Sequence, residues 1–297
     1  MMFTRTLVLL LGGLLSTSCL GKPKSALNDL EIIEALEDND RGLGEPAPGE
    51  WLAEHREPGQ SLARYQALTP TAATTQHHTI YLQPIGDFTT AETEVIHATA
   101  AYLAIFFGLP TRVLPALSDA GIPASARRTG RDGSEQLLVP FLLDSVLHDR
   151  VAAHAVATLA ITAKDLYPAP SWGFVFGQAR PTERVGVSSM YRYYPKPLDA
   201  GHVPSCLHRL LKTSAHEIGH MFTLQHCTHA VCVMNGTNSL REFDSRPNRL
   251  CSECLSKLHW NLQFDIRRCL QELGRFFQRH SITQDYDVVQ ADLQEIE

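Results

Sequence analysis

The chain has 297 residues, which suits one domain of ordinary to large size, or one domain with an extra arm. Its hydrophobic content of 44% is typical of a soluble globular protein that buries a real core. The formal net charge of −6 argues against nucleic acid or an anionic membrane surface as the main partner.

Residues 1–18 are predicted to be a signal peptide. Arg5 precedes an apolar run, residues 7–15, that is too short to anchor the chain across a bilayer. Ser16 and Ser18 then precede Cys19, and the pattern resembles a bacterial lipoprotein signal in which the cysteine is lipidated. The position of Ser16 is usually apolar in such signals, and ordinary cleavage after Ser18 is the alternative. Both interpretations predict export to a bacterial cell envelope, facing the periplasm or the surface, and a lipid on Cys19 would be the sole membrane attachment.

The rest of the chain is predicted to form an arm, a catalytic domain and a tail. Residues 19–76 contain one acidic amphipathic stretch, 27–36, and little else that suggests a core, so they are predicted to be a partly disordered tether. The catalytic domain is assigned to residues 77–282 and a C-terminal tail to 283–297.

Alternating strand and helix signals follow within the catalytic domain. They predict strands at 79–82, 112–114, 155–162, 171–177 and 184–190, helices at 91–107 and 135–148, and a loop at 118–133. Gly108 is the expected stop of the first helix. Strands interleaved with helices predict a layered fold with a mixed sheet, an α+β protein in α/β/α layers.

Residues 216–220 read His-Glu-Ile-Gly-His. Positions four apart lie on one face of a helix, so His216 and His220 can bind one metal ion. Glu217 is close enough to reach a metal-bound water but badly placed to be a ligand. Zinc lowers the pKa of such a water toward about 7, and the carboxylate takes its proton as the water attacks a carbonyl. The motif therefore predicts a hydrolytic zinc site with Glu217 as general base.

The helix that carries this motif is predicted to be amphipathic. Its apolar stripe consists of Leu207, Leu211, Ala215, Ile218 and Phe222. The two histidines lie roughly opposite this stripe and face a cleft, which favours a metal site over two merely exposed histidines. Pro204 and Ser205 are the start signal, and His208 is assigned to the surface or a cap.

His226 is the candidate third ligand, six residues after His220. The helix must end and the chain reverse to bring it back, because a continued helix would carry it about 9 Å along the axis. Metzincins use a glycine for this turn, and Thr223 occupies that position here. A β-branched residue at positive φ is strained by about 1–3 kcal/mol, so the turn is expected to be made differently.

Four cysteines downstream form two pairs with metal-binding spacing, Cys227 with Cys232 and Cys251 with Cys254. They predict a tetrahedral four-thiolate zinc site, and two disulfides are the alternative in an oxidising compartment. Cys206 and Cys269 could form a further disulfide or stay as buried thiols.

These residues together resemble the archaemetzincin family. The resemblance rests on His216 to His220, His226 followed by Cys227, then Cys232, Met234, Cys251 and Cys254. It extends to residues 160–167 and 172–179 before the motif and to 254–260 after it, and covers about residues 78–280. Thr223 departs from the family pattern, as does the interval between Met234 and Cys251, which is one residue shorter than usual.

The resemblance implies a metzincin-like fold with an active-site helix, a Met-turn at Met234 and C-terminal helices. It implies two zinc ions per chain. The catalytic zinc would be bound by His216, His220 and His226. The structural zinc would be bound by Cys227, Cys232, Cys251 and Cys254, next to the third histidine.

The predicted function is zinc-dependent hydrolysis of peptide bonds by a monomer, on peptide or protein substrates and not on nucleic acid. Residues 186–189 are expected to bind the substrate backbone by strand addition. Tyr191, Tyr193 and Tyr194 are assigned to the surface. The alternative function is an inactive zinc-binding scaffold that binds a partner at the envelope, and Thr223 is the one feature that favours it.

Overall fold

The computed structural model describes residues 27–297, except for the side chain at position 149. The strands are β1 (Thr79–Ile85), β2 (Thr111–Val113), β3 (Arg127–Thr129), β4 (Glu135–Leu138), β5 (Ala155–Thr162), β6 (Asp165–Tyr167), β7 (Gly177–Arg180) and β8 (Val185–Ser189). The helices are α1 (Asp29–Ala35), α2 (Trp51–Glu54), α3 (Leu62–Ala67), α4 (Thr90–Phe107), α5 (Val139–Phe141), α6 (Val203–Met221), α7 (Leu240–Asp244), α8 (Ser252–Leu262), α9 (Ile266–Arg279) and α10 (Thr283–Glu295).

A five-stranded mixed sheet in the order β2-β1-β5-β8-β7 organises the molecule. Four of its strands are parallel, and only β7, at one edge, runs antiparallel to its neighbour β8. A smaller sheet in the order β3-β4-β6 lies beside it. Among residues 27–297, β7 pairs with β8 alone, so its other edge is available to hydrogen-bond an extended chain.

Helices cover both faces of the large sheet. On one face α6 packs against β5, β7 and β8 and against α4, and α9 packs on α4. On the other face a second apolar cluster joins the sheet to the helical segment that follows β4, with Leu137, Leu142 and Leu147 buried. The layered α+β fold with a mixed sheet is therefore confirmed.

Several predicted elements differ from the structure. The helix predicted at 135–148 begins as strand β4 and becomes helical at Val139, and the loop at 118–133 contains β3, which pairs with β4. The strand predicted at 171–177 begins only at Gly177, because its aromatic residues line a cleft instead of joining the sheet. The strand at 79–82 continues through Pro84, which lies beyond the last residue that pairs with β2.

The prediction that residues 19–76 form a partly disordered tether is wrong for the residues that the structure describes. Asn28 closes a capping box with Glu31 at the start of α1, and Ile32 and Leu36 are buried in the main core. Tyr65 is fully buried. The composition is low in apolar residues, but several of those that occur reach the same core.

The C-terminal tail predicted at 283–297 is also a packed element. Helix α10 lies against α9, and Val289 and Ile296 belong to the main core. His208 is not a surface residue, because its Nε2 lies 3.0 Å from the buried Asp285 carboxylate of α10. Where the domains begin and end remains a prediction.

Residues 1–26 are not described, so the predicted signal peptide and Cys19 lie outside the structure. Within residues 27–297, no helix combines the length and apolar character needed to cross a bilayer.

Candidate metal centres and catalytic cleft

Helix α6 presents the histidine motif as the sequence predicts. All five residues of its predicted apolar stripe are buried, while His216 and His220 line a cleft on the opposite side. The backbone at Gly219 lies against the Met234 side chain, and a Cβ there would come within 2.5 Å of Met234 Sδ. Glycine at this position therefore lets the methionine pack directly beneath the two histidines.

The chain reverses at Thr223, which adopts a left-handed conformation with φ of 71°. Its N–H donates to His220 O at 2.8 Å, and the N–H of Leu224 donates to Gly219 O at 3.0 Å. The expectation that threonine would force a different turn is wrong. The one feature that favoured an inactive scaffold thus does not prevent the third histidine from returning to the helix.

The structure brings His216, His220 and His226 together. Their ring centroids lie 4.5 to 5.2 Å apart, and Nε2 of His216 is 3.0 Å from Nε2 of His220. In a tetrahedral zinc site with bonds of about 2.0 Å the nitrogens are about 3.3 Å apart. The spacing therefore suits one zinc ion.

Hydrogen bonds fix which nitrogen of each ring faces the centre. Nδ1 of His216 donates to Val233 O at 2.9 Å, Nδ1 of His220 to Leu224 O at 2.7 Å, and Nδ1 of His226 to a Glu57 carboxylate oxygen at 2.8 Å. A ring that donates through Nδ1 carries a lone pair on Nε2. Two such lone pairs 3.0 Å apart repel each other unless a cation lies between them, and so the donor set fits a metal.

The protonation of the histidines is also suited to metal binding. Burial and the neighbouring histidines lower the pKa of His216 well below its ordinary value. Burial and His226 lower the pKa of His220 to about 4. Both rings are therefore neutral at pH 7, the state in which imidazole binds a metal.

Glu217 lines the same cleft next to His216. Its carboxylate is buried against the start of β7, where a Cβ on Gly177 would come within 2.6 Å of Glu217 Oε1. Burial raises the pKa of Glu217 to about 8. A bound zinc ion would oppose this shift, because a nearby positive charge favours the carboxylate.

The four cysteines predicted to bind a second metal converge in the core. Cys227, Cys232, Cys251 and Cys254 are all buried, and their sulfurs lie within 4.8 Å of one another. Cys227 Sγ is 3.5 Å from Cys251 Sγ, close to the ~3.8 Å expected between thiolates of a tetrahedral zinc site. All four are free thiols, as are Cys206 and Cys269, so the disulfide alternatives are not found among the described cysteines.

The electrostatics of this cluster call for a cation. Hydrogen bonds from the other three thiols lower the pKa of Cys227. Burial raises the pKa of Cys232, and hydrogen bonds with the other thiols raise that of Cys254. One thiolate is thus accommodated but four are not, unless a metal ion compensates their charge.

One short loop connects the two clusters. The N–H of Cys227 donates to Met234 O at 2.9 Å, and the Asn235 amide donates to Cys227 O and Ala230 O. Met234 is 1% exposed beneath the histidines. His226 immediately precedes Cys227, so the sulfur cluster fixes one side of the third histidine.

Residues 49–71 supply contacts to the site that the sequence did not predict. Glu57 binds His226, and Trp51 donates from Nε1 to Glu57 Oε1 at 3.0 Å and packs edge-on against the His226 ring. Burial tends to raise the pKa of Glu57, but the hydrogen bond and charge of His226 lower it overall. No spacing rule links Glu57 to a histidine 169 positions away, so one sequence could not reveal this contact.

A cleft of about 780 Å³ runs past the histidines. Its lining includes Trp172, Phe174 and Phe176 before the edge strand, Gly177 to Ala179 of β7 itself, residues 235–238 on the opposite side, and Lys212, Phe243 and Arg246. The expectation that residues 186–189 bind substrate by strand addition is wrong, because β8 is paired on both sides. The free edge belongs to β7.

The assignment of three tyrosines to the surface is wrong for two of them. Tyr193 is fully buried and shares a hydrogen bond with Thr213, and Tyr194 is 7% exposed and donates to Glu92. Burial raises the pKa of both well above its ordinary value. These hydroxyls hold α6 and α4 in place.

The fold and the cleft together define a class of protein. The class is that of the metzincin-like zinc metallopeptidases. Its features here are a histidine cluster on a helix and the turn after it, an adjacent glutamate, and a methionine beneath the histidines. The helix packs on a mixed sheet whose edge strand runs along the cleft.

Comparisons with known proteins give the family. The sequence profile described as Peptidase family M54 matches residues 136–260. Archaemetzincin-2 of Homo sapiens is 31% identical over 269 residues, which cover 79% of this chain and 74% of that protein. The archaemetzincin of Pyrococcus abyssi is 36% identical over 130 residues, 43% of this chain and 68% of that protein. The chain belongs to the archaemetzincin family.

A solved structure supports the fold. The crystal structure of archaemetzincin from Methanopyrus kandleri aligns with a TM-score of 0.51 and 29% sequence identity, and covers 63% of this chain and 97% of that one. The protein is thus a metallopeptidase of the archaemetzincin family. Residues 49–71 precede the part of the chain that the family profile matches.

Proposed function

We propose that the protein hydrolyses peptide bonds at a zinc site formed by His216, His220 and His226, with Glu217 as general base. The observation that carries the proposal is the convergence of three Nε2 lone pairs beside a buried carboxylate. A scaffold that only needed a metal for stability would have no use for that carboxylate.

His216, His220 and His226 would hold a zinc ion, which would supply Lewis acidity to a water molecule and to the scissile carbonyl. Glu217 takes a proton from the attacking water and delivers it to the departing amine. Its burial suits both steps, since a carboxyl group with a raised pKa near a cation can hold or release a proton near neutral pH. Nδ1 hydrogen bonds hold the histidine rings in orientation throughout.

The substrate backbone is proposed to add to the free edge of β7, along Gly177 to Ala179. Main-chain hydrogen bonds from an edge strand bind an extended peptide with little dependence on its side chains. The aromatic residues Trp172, Phe174 and Phe176 flank this edge and offer apolar contacts to the substrate.

A second zinc is proposed for Cys227, Cys232, Cys251 and Cys254, which gives two zinc ions per chain. This site holds the loop that carries His226.

We further propose that the protein is an exported monomer of a bacterial cell envelope that does not act on nucleic acid. A lipid on Cys19 would be its one membrane attachment, and incorporation of labelled palmitate into the wild type but not Cys19→Ser tests this.

The function is tested by digesting an unbiased peptide library with the wild type and with Glu217→Ala. The wild type is expected to cleave, and the variant to lose about 10²–10⁴-fold in rate because the general base is missing. Zinc content of the two proteins serves as the control and is expected to be equal. Equal cleavage by both proteins, or none by a fully zinc-loaded wild type, would contradict the proposed peptidase activity.

A further inference from the structure

Residues 49–71 reach the catalytic cleft from outside the part of the chain that the family profile matches. We propose that Glu57 is a positioning residue for the third zinc-binding histidine, and that this N-terminal segment (residues 49–71) is an integral part of the active site. The inference rests on the proposed function, since it concerns the same zinc site.

Glu57 is the carboxylate partner of His226. Its Oε1 accepts hydrogen bonds from His226 Nδ1 at 2.8 Å and from Trp51 Nε1 at 3.0 Å. The two side chains of the pair are 24% and 19% exposed, so the contact is largely shielded from water. Trp51 in turn stacks on His55, with ring centroids 3.9 Å apart. Glu57 is thus held on one side by an aromatic pair and on the other by the histidine.

The three histidines are supported unequally. Nδ1 of His216 and of His220 donate to backbone carbonyls of Val233 and Leu224, and both rings stand on helix α6. His226 stands on a loop and has a carboxylate instead. A carboxylate fixes the tautomer, orients the ring and makes its free nitrogen more basic, which strengthens binding to a metal. The least supported histidine therefore has the strongest partner.

The same segment also holds the turn that delivers His226. Gln60 donates from Nε2 to Thr223 O at 3.0 Å and accepts from the N–H of Gln225 at 3.1 Å. Tyr65 donates to Phe222 O at 2.8 Å, and the N–H of Thr71 donates to Thr223 Oγ1 at 3.2 Å. These contacts surround the strained residue, and Gln60 and Tyr65 are both buried.

Taken together, these contacts compensate for the missing glycine. The segment holds the threonine turn from outside and then supports the histidine that the turn delivers. If it only covered the core, changes at Glu57 would affect the stability of the protein without changing how tightly the histidine site holds zinc.

The experiment measures release of zinc from the full-length protein to a chelator in excess, for the wild type, Glu57→Gln and Glu57→Ala. The cysteine site acts as an internal reference, because its zinc should leave in a separate, slower phase. Glu57→Ala is expected to release zinc from the histidine site about 10–100-fold faster than the wild type. Glu57→Gln keeps an acceptor but loses the charge, so its rate should fall between the two.

Glu94→Ala and Glu94→Gln are the matched controls. Glu94 is an exposed glutamate of α4 that lies outside this segment. Both controls should release zinc at the wild-type rate, and the slow phase should be the same in every protein. Thermal unfolding identifies any variant that is misfolded. If Glu57→Ala is misfolded, the zinc-release rate of the isosteric Glu57→Gln decides whether the proposal holds.

Wild-type release rates in both Glu57 variants would overturn the proposal while leaving the proposed peptidase function intact. Equal acceleration of the fast and slow phases would also overturn it, since that indicates general destabilisation. A wild type that releases only the slow phase would contradict the zinc site itself, and with it the proposed function.

Discussion

At two positions of the cleft, the side chain packed against the backbone leaves room only for glycine. Gly219 leaves room for Met234 beneath the histidines, and Gly177 leaves room for the Glu217 carboxylate at the start of β7. In neither case is glycine needed for an unusual backbone angle. The side chains that act in the cleft are thus placed by close packing against main chain, which is sensitive to a single methyl group.

Gly177→Ala should displace the general base without removing a metal ligand. The added Cβ would lie within 2.6 Å of Glu217 Oε1 and 2.8 Å of Val187 O, so both the carboxylate and the backbone of β7 at Gly177 must shift. A displacement of this order is expected to lower kcat about 100-fold at unchanged zinc content. Gly121→Ala is the control, because a Cβ there meets nothing within 4 Å. A wild-type kcat for Gly177→Ala would show that Glu217 is not held by this contact.

For individual residues, the sequence predicts some members of the site and cannot predict others. His216, Glu217 and His220 follow from helix periodicity, because their geometry is local. His226 was identified mainly by the cysteine beside it. Glu57 has no local signal, since its role depends on a fold that brings together residues 169 positions apart.

Among the elements, the turn after α6 and the segment that supports it form one unit. A non-glycine residue at positive φ is strained by about 1–3 kcal/mol. A hydrogen bond contributes about 0.5–1.5 kcal/mol, so the four contacts to residues 222–225 are of sufficient size to hold Thr223 there. The strain at Thr223 predicts a different turn only when the residue is considered apart from these contacts.

This coupling predicts that Gln60 matters less when the turn is unstrained. Gln60→Ala should speed zinc release from the histidine site about 10-fold, because the threonine turn can then relax and move His226. In a Thr223→Gly background the same change should have less than about a threefold effect, since glycine keeps the turn unaided. The four release rates form a double-mutant cycle. The same factor in both backgrounds would mean that Gln60 and Thr223 act independently.

Element prediction failed where the surroundings override the local pattern. Residues 171–176 have the aromatic content of a strand, yet they line the cleft, and the sheet begins only at Gly177. Residues 135–138 have helical spacing but pair with β3 and β6. Helices α4 and α6 were predicted correctly because each carries a continuous apolar face.

At the scale of the whole molecule, segments near both ends of the described residues pack into one core. Ile32 near the start and Ile296 near the end belong to the same apolar cluster as the active-site helix. Low apolar content predicts an arm at residues 19–76, yet this segment and residues 283–297 both pack against the core. Their apolar residues are buried only through contacts with distant parts of the chain, and composition alone does not predict such contacts.

The two metal clusters also belong to one unit, since His226 and Cys227 are adjacent and the loop from Cys227 to Met234 contacts both. We therefore expect the cysteine zinc to be required for the fold and the histidine zinc to be required only for activity. Brief chelation should abolish cleavage while circular dichroism and the thermal transition persist. Loss of the fold together with the first zinc released would contradict this division.

Zinc content per chain tests the two-site zinc peptidase most directly. Elemental analysis of the purified wild type should give two zinc ions per chain, and His220→Ala should give one, retained by the four cysteines. One zinc or none in the wild type, or two in His220→Ala, would contradict the assignment of the histidine and cysteine clusters as separate metal sites.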